Sequence, residues 1–544
     1  MIKFDKNDEI LSNIARVVRK RLPENTDVEL RIDKSMDEMD SEIKNGVISA
    51  GAYGQLLDAA GRFLRNPKVS GTFHSYKTIS GMYFASHNSN YYVSAPLEEI
   101  YEYIEDLALW GMNTMRMWFD LFYYKNMADG KEFADRMKAM IKYAKSIGVK
   151  ICLSIISNEA FHVSPKELRA DWTGGHDGYI KNLNDHYHVE ICPSKPGGIE
   201  KILEYRRDWL ETFKDAAPDM IDIGPYDEGG CTCPDCAPWG ANGYVRCCEA
   251  LAKLVKEYFP EAELNLSLWM FGVFTGNNIE FEKLSEILAT DRLKDFKYVG
   301  TDPYYQSYAY EIDMHRPLMA RFEISMCDTV PWGGYGTNPI PKRIMEKWAP
   351  YSDKNIGGCP YSEGFYEDIN KVISLRLYRD NQDPEITIRE YLAYEFGFEG
   401  EMLEKVTQAI MDMEETLYRD FVEGHRYIVH NPEKIPAIEK AIVEADATLP
   451  ENIKSKKRWQ LIYLRAIIDG ELYRNDFTRN DKVMECFRKI IEIGYLDNAS
   501  FYIKPDVIVD SDYGKEVLSI PEIMRIVWGK KPDLGDEFKE DYYD

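Results

Sequence analysis

The sequence predicts an α/β protein built on a closed (β/α)8 barrel, a TIM barrel, with a small α/β domain before it and a helical domain after it. Apolar strands alternate with amphipathic helices from Ser80 to about Asp380, the pattern of a parallel sheet. Eight strand candidates fall within about 300 residues, close to the size of such a barrel. A doubly wound open sheet is the alternative, but eight regular units without a Gly-rich phosphate turn favour closure.

The three predicted domains span residues 1–77, 78–382 and 383–544. In the first domain, apolar runs separated by polar turns indicate a helix, two strands and a second helix. These predicted elements lie at residues 10–20, 28–32, 46–50 and 53–64.

The clearest unit of the predicted barrel reads GMYFA, then a helix at residues 96–111, then MNTMRMWFD. Leu97, Ile100, Ile104 and Leu107 recur at helical spacing with glutamates between them, so one helix face is apolar and the other solvated. The eight predicted strands lie at residues 82–85, 113–119, 149–154, 220–224, 264–269, 298–302, 319–325 and 358–363.

Helical periodicity dominates the last domain. The predicted helices lie at residues 386–396, 401–418, 436–445, 456–474 and 481–493. The final stretch, DEFKEDYYD, is acidic, and we expect it to be a solvated tail.

The composition excludes several classes of protein. The 544 residues carry 67 Lys+Arg against 92 Asp+Glu, for a formal charge of -25, and 44% of them are hydrophobic. The ordinary apolar fraction excludes a disordered or collagenous chain, and the negative excess argues against nucleic-acid and anionic-membrane partners. The first twenty residues lack a signal-peptide core, and no apolar run is long enough to span a membrane, so we expect a cytoplasmic protein. Self-association into a homo-oligomer is left open.

Acidic residues follow the predicted barrel strands, where the active sites of such barrels lie. These candidates are Asp120, Asp227, Glu228, Asp302, Glu323 and Glu363. Asp227 and Glu228 are adjacent, so at a strand end their side chains can take different roles about one ligand. One carboxyl whose pKa is raised by desolvation can donate a proton while its neighbour stays ionised, and glycoside hydrolysis needs that division. The alternative is that either acid only caps a helix or pairs with a lysine.

Aromatic and polar residues beyond the strand ends suit a sugar site. Trp269, Tyr304 and Trp332 offer flat apolar faces for a sugar ring, although each alone is more often a core residue. Two further pairs could bind hydroxyl groups or merely fix loops: His87 with Asn88 after the first strand, and His176 with Asp177 in a long Gly-rich insertion.

Four of the ten cysteines are candidate metal ligands. Cys231, Cys233 and Cys236 form C-x-C-x-x-C directly after the acid pair, and Cys192 lies just ahead of the helix that precedes the fourth strand. Four thiolates from two neighbouring loops could hold a tetrahedral structural zinc. The alternative is a group of reduced, partly buried thiols. No cofactor is expected for catalysis.

The segment DVELRID followed by EIKNGVISAGAYGQLLDAAGRFLR resembles the N-terminal domain that precedes the barrel in glycoside hydrolase families 20 and 67. Asp227 and Glu228 resemble the Asp-Glu pair of family 20, the β-N-acetylhexosaminidases. That resemblance implies that Glu228 is the general acid/base and that Asp227 orients the substrate's acetamido group, which acts as the nucleophile. It also implies that Trp269 and Tyr304 surround the sugar and that Glu363 binds a distal hydroxyl.

The helical C-terminal domain is more similar to family 67, the α-glucuronidases, and the first strand lacks the sugar-binding arginine of family 20. A family 67-like chemistry implies inversion, with Glu228 as acid and Asp302 or Glu323 as base. The leading hypothesis is therefore an exo-acting glycosidase with an oligosaccharide or glycoside substrate, and a non-catalytic carbohydrate-binding barrel is the alternative. The acidic balance disfavours an anionic substrate, unless Arg116 or Arg321 binds its charge.

Overall fold

The computed structural model describes most of the chain. The described residues are 1–86, 91–118, 127–160, 165–170, 189–225, 230–273, 275–303, 306–324, 337–362, 367–416, 419–422, 426–429, 431–475 and 480–495.

The chain begins with a five-stranded sheet and two helices. The strands are β1 (Ile2–Lys3), β2 (Val28–Ile32), β3 (Asp40–Lys44), β4 (Val47–Ala50) and β5 (Gly71–His74), in the order β1-β2-β4-β3-β5. The helices are α1 (Glu9–Arg19) and α2 (Tyr53–Arg65). The Asn45-Gly46 turn joins β3 to β4, and both of its residues have positive φ, at 54° and 77°. A two-residue hairpin turn requires this conformation, which Asn and Gly tolerate best.

The central sheet is a closed parallel barrel, which confirms the predicted fold class. Its strands are β6 (Ile79–Phe84), β7 (Thr114–Trp118), β8 (Lys150–Ile156), β11 (Met220–Gly224), β12 (Glu263–Ser267), β13 (Phe296–Thr301), β14 (Leu318–Ala320), β15 (Asn355–Gly358) and β16 (Tyr361–Ser362). The order is β15-β14-β13-β12-β11-β8-β7-β6-β16, and an additional β15–β6 pairing closes the ring. Two further strands, β9 (Glu159–Ala160) and β10 (Val189–Glu190), form a separate antiparallel ribbon.

The eighth barrel position is shared by β15 and β16, whereas the sequence predicted one strand at residues 358–363. Pro360 lies between the two segments. It has no N–H to donate to the ladder, so pairing is interrupted there. Its carbonyl oxygen still accepts a hydrogen bond from the Tyr83 N–H at 2.9 Å, and Tyr361 and Ser362 then pair with Tyr83 and Phe84 of β6.

Helices connect the barrel strands and then form the last part of the described chain. The helices up to the end of the barrel are α3 (Tyr91–Ser94), α4 (Leu97–Leu109), α5 (Met127–Ser146), α6 (Gly198–Phe213), α7 (Gly243–Tyr258), α8 (Ile279–Leu288), α9 (Pro341–Trp348) and α10 (Asp368–Asp380). Six more follow: α11 (Pro384–Phe396), α12 (Gly400–Glu415), α13 (Ile435–Thr448), α14 (Glu451–Lys454), α15 (Lys457–Arg474) and α16 (Asp481–Ile493). A hairpin of β17 (Arg419–Val422) and β18 (Arg426–Val429) separates α12 from α13.

Local signals explain where several of these helices begin and end. The Asp8 side chain accepts a hydrogen bond from the Leu11 N–H at 2.9 Å and so caps α1. Asp383 caps α11 in the same way, Pro384 occupies its first position, and Gly397 ends it with φ of 77°. These are the residue types that favour helix starts and left-handed helix ends.

The described residues divide into two compact units. One contains Met1–Asn113, Glu323–Glu346 and the described part of Pro360–Pro532, and the other contains Thr114–Phe322 and Lys347–Cys359. The predicted domain boundaries of 1–77, 78–382 and 383–544 remain a prediction. Within the described helices, none combines the length and the apolar character that a membrane crossing requires.

Candidate active site

A row of polar side chains crosses four adjacent strands in the barrel. Arg116 of β7 pairs through Nη2 with the Asp222 carboxylate of β11, and its Nε donates to Ser154 Oγ of β8 at 2.8 Å. Asn265 of β12 donates through Nδ2 to the second Asp222 oxygen. Arg116 and Asp222 are only 4% and 1% exposed, so the carboxylate offsets a buried charge. Arg116 is therefore a structural cation of the barrel.

Most residues of this row were not predicted from the sequence, although the sequence contains a pattern that marks them. Asp222, Ser154 and Asn265 are single polar residues inside the apolar strands MIDIG, KICLSII and ELNLS. A buried polar group is expected to have a hydrogen-bond partner. Polar residues in several adjacent strands therefore indicate a network, but which residues pair depends on the sheet register. That register places Asp222 opposite both Ser154 and Asn265.

Trp269 and Arg321 form a half-buried stack just beyond two strand ends. The Arg321 Cζ atom lies 4.1 Å from the centroid of the Trp269 ring. Such contacts between a guanidinium and an aromatic face are attractive and hold both groups in place. The backbone N–H of Trp269 donates to Ser267 Oγ at 3.3 Å, which fixes the Trp269 backbone just beyond the end of β12. This part of the barrel rim thus combines an aromatic ring with a cation, and the role of Trp269 in sugar binding stays a prediction.

Asp302 follows the sixth strand and is only 1% exposed. Gln306 fixes its backbone: the Asp302 N–H donates to Gln306 Oε1 at 2.9 Å, and the Gln306 N–H donates to the Asp302 carbonyl at 2.9 Å. Burial raises the pKa of Tyr310 well above its usual range, and the charge of Asp302 raises it further. Asp302 is therefore a buried acid at the end of the sixth strand, with its backbone held by Gln306.

Glu323 follows the seventh strand and is 8% exposed. It forms an isolated parallel bridge with Tyr361 of β16, and the next residue, Ile324, donates its N–H to the Tyr361 carbonyl at 3.2 Å. The predicted seventh strand at residues 319–325 thus ends earlier, at Ala320, and continues only as this bridge. Glu323 thus lies three residues beyond the end of β14, and its role at the site stays a prediction.

A buried network lies behind the eighth strand. Ser362 Oγ donates to Glu367 Oε2 at 2.9 Å, and the Lys371 Nζ atom lies 3.8 Å from that same carboxylate oxygen. Lys371 also donates to the Tyr103 hydroxyl at 2.8 Å. Burial lowers the pKa of Lys371 to about 8, although Glu367 and Asp368 act in the opposite direction. The network fixes Ser362, the last residue of β16.

Ten of the predicted site residues lie outside the described residues, and their roles stay predictions. They are His87, Asn88, Asp120, His176, Asp177, Asp227, Glu228, Tyr304, Trp332 and Glu363. The fourth strand itself is described to its last residue, Gly224, where an added Cβ would lie 2.8 Å from Ser267 Cβ. The two strands approach closely there, and Asp227 follows Gly224 by three residues.

The four predicted cysteine ligands come together. The Sγ atoms of Cys192, Cys231, Cys233 and Cys236 all lie within 4.8 Å of one another. Hydrogen bonds from Cys231 and Cys236 lower the pKa of Cys192. Such a group of thiols could hold a metal ion, as the sequence indicated.

Comparisons with known proteins connect this architecture to glycoside hydrolases. No family model and no curated protein matches the sequence. A family 89 glycoside hydrolase from Clostridium perfringens in complex with 2-acetamido-1,2-dideoxynojirmycin has a TM-score of 0.59 and 12% identity, over 90% of this chain and 65% of that chain. The same family's enzyme in complex with its substrate GlcNAc-alpha-1,4-galactose gives 0.58 and 13%, over 90% and 64%.

A family 115 4-O-methyl-alpha-glucuronidase with specificity for decorated arabinogalactans has a TM-score of 0.57 and 10% identity, over 93% of this chain and 76% of that chain. This chain spans just under two thirds of the length of the family 89 chains. At these identities the likeness establishes the fold, and it agrees with the architecture expected from the sequence resemblance.

Proposed function

We propose that the protein is an exo-acting glycoside hydrolase whose general acid/base is Glu228. The observation that carries the proposal is a closed parallel barrel of glycoside hydrolase architecture with an adjacent acid pair, Asp227-Glu228, directly after its fourth strand. Enzymes with this barrel bind and convert their substrates at the carboxyl ends of the barrel strands. The aromatic ring of Trp269 and the buried carboxyl of Asp302 at other strand ends support a sugar site.

In the leading version of the mechanism, the substrate carries an acetamido group. Asp227 holds the amide nitrogen so that the amide oxygen attacks the anomeric carbon, while Glu228 donates a proton to the leaving oxygen and later activates water. The configuration is retained, as in a β-N-acetylhexosaminidase. Two family 89 neighbours bind ligands with an acetamido group or a GlcNAc unit, which supports an N-acetylated substrate.

In the second version, water attacks directly and the configuration inverts. Glu228 remains the acid, and Asp302 or Glu323 removes the proton from water. Both carboxyls are more than nine-tenths buried, which suits a group that must be held at a defined position. The α-glucuronidase neighbour supports this version, and the half-buried Arg321 offers a cation for a uronic carboxylate.

In both versions the protein supplies only carboxyl groups to the reaction, so no catalytic cofactor is needed. The four-cysteine cluster, which the sequence assigns to a structural zinc, takes no part in it, because four thiolates leave a tetrahedral ion without an open position for water.

Turnover of aryl glycosides tests the proposal. The panel contains N-acetylglucosamine, N-acetylgalactosamine, glucuronic acid and neutral hexoses. Glu228→Gln should lower kcat by at least about 100-fold, since positioned proton transfer contributes about 10²–10⁴-fold. Glu211→Gln, a change at an exposed carboxylate, is the matched control and should leave turnover unchanged.

NMR of the first-formed product separates the two versions, because substrate assistance retains the anomeric configuration and direct water attack inverts it. Near-normal turnover of Glu228→Gln would show that Glu228 is not the acid. Sugar binding by calorimetry without turnover of any glycoside would favour the non-catalytic carbohydrate-binding barrel.

A further inference from the structure

The four-cysteine cluster joins two separate segments of the chain. Cys192 lies between β10 and α6, whereas Cys231, Cys233 and Cys236 lie between β11 and α7. We propose that these four cysteines bind one zinc ion in a closed tetrathiolate site that clamps the segment after the fourth barrel strand to the segment before α6. This proposal is independent of the glycosidase activity.

The sulfur spacing fits a metal tetrahedron. The Cys192 Sγ atom lies 3.8 Å from both Cys233 Sγ and Cys236 Sγ. Zinc–sulfur bonds of about 2.3 Å in tetrahedral geometry require sulfur atoms about 3.8 Å apart. A disulfide would require about 2.05 Å. The two distances from Cys192 therefore match those between ligands of one ion, and all four sulfur atoms lie within 4.8 Å of one another.

A hydroxyl group lies against one of the sulfur atoms. Ser194 Oγ lies 3.0 Å from Cys236 Sγ, and Arg246 donates to Ser194 Oγ. The arginine uses a lone pair of the hydroxyl oxygen, which leaves the hydroxyl proton available to the sulfur. Four thiolates around a divalent ion carry a net charge of −2, and donors of this kind stabilise metal-bound thiolates.

The cluster is enclosed, as a structural site would be. Cys192, Cys231 and Cys236 have no exposed surface, and Cys233 is partly exposed. Trp239 packs over the same loop: a Cβ added to Gly230 or Gly243 would lie 2.0 Å or 2.3 Å from its ring. Cys236 and Gly243 are further linked by a 3.1 Å backbone hydrogen bond. The segment that carries three of the four cysteines is therefore held by packing as well as by the backbone.

Zinc is the ion that this donor set favours. Thiolates are soft ligands, which disfavours magnesium and calcium, and tetrahedral all-cysteine sites are characteristic of structural zinc. The ion would also fix the far side of the predicted catalytic loop, because Glu228 precedes Cys231 by only three residues.

Metal analysis of the full-length chain, purified under reducing conditions without added metal, is the first test. We expect elemental mass spectrometry to find about one zinc ion per chain. The zinc should be released when a mercurial reagent reacts with the thiols. X-ray absorption should show four sulfur neighbours at about 2.3 Å. Protein expressed in cobalt-containing medium should show, in its absorption spectrum, thiolate-to-cobalt charge-transfer bands and the visible bands of tetrahedral cobalt.

Variants provide the second test. Cys233→Ser alters the one partly exposed ligand and should lower the zinc content at least severalfold, whereas Cys247→Ala removes a buried thiol outside the cluster and should leave zinc unchanged. If Cys233→Ser fails to fold, the measurements on the unmodified chain still decide. Three results would overturn the proposal. The folded protein could contain no zinc while all four cluster thiols remain titratable, it could contain a disulfide within the cluster, or it could contain iron in place of zinc. None of these outcomes depends on whether any glycoside is turned over.

Discussion

Removing the charge of Asp222 should destabilise the barrel strongly. Asp222 is 1% exposed and accepts hydrogen bonds from both Arg116 and Asn265. In Asp222→Asn the new side chain has one acceptor oxygen, so either Arg116 or Asn265 faces an NH2 group. The buried guanidinium also loses this counter-charge. Breaking a buried ion pair by removing one partner costs about 3–5 kcal/mol, so we expect a loss of stability in that range.

The measurement is urea-induced unfolding followed by tryptophan fluorescence, for which Trp118 on the same strand as Arg116 is a buried reporter. The matched control is Glu211→Gln, which breaks a Lys214 pair whose side chains are 52% and 56% exposed. Exposed pairs contribute about 0–1 kcal/mol, so its unfolding curve should nearly overlay that of the unaltered chain.

A double substitution tests the pairing itself. Arg116→Met combined with Asp222→Asn removes the buried cation too, so the double variant should be more stable than the sum of the single effects predicts, by about 2 kcal/mol. If Asp222→Asn changed the free energy of unfolding by less than about 1 kcal/mol, or if the two single effects simply added, the ion pair would not stabilise the barrel as argued.

Two further predictions concern stability. The pKa of Lys371 falls from 10.5 to about 8 on folding, so between these values the unfolded chain holds the extra proton and stability rises with pH. Lys371→Met should therefore flatten the pH dependence of the free energy of unfolding by up to about 1.4 kcal/mol per pH unit in this window, and an unchanged slope would mean that Lys371 titrates normally. Gly358→Ala should destabilise the barrel by about 1–3 kcal/mol, because the new Cβ would lie 1.6 Å from the Ala320 carbonyl oxygen of the adjacent strand. A thermal melt that overlays that of the unaltered chain would contradict this reading of the β14–β15 contact.

The barrel was predictable because its strands are apolar runs between amphipathic helices. The predicted fourth strand, residues 220–224, coincides with β11, and the predicted helix at residues 481–493 coincides with α16. The strands β3 and β5 were missed because their sequences, DSEIK and GTFH, contain no apolar run. Their pairing depends on partners that a local pattern does not show. The hairpin β17–β18 was also missed, because no element was predicted between residues 418 and 436.

Within the candidate site, the cysteine cluster could be predicted because its residues have both a metal-binding chemistry and a close spacing in the chain. The four cysteines were singled out by their spacing and they do come together, although the ion itself stays a prediction. The partners of Arg116, Ser154 and Asp222, could not be read from the sequence, because they come from two other strands brought beside it by register. The acid pair Asp227-Glu228 was singled out by its position just after β11 and stays a prediction.

The polar row in the barrel has a consequence for how the molecule opens. Arg116, Ser154, Asp222 and Asn265 link β7, β8, β11 and β12 through their side chains as well as through the backbone ladder. Separating any of these strands from its neighbours would expose a charge or break a buried hydrogen bond. Their amide protons should therefore exchange with solvent deuterium together, as one cooperative unit.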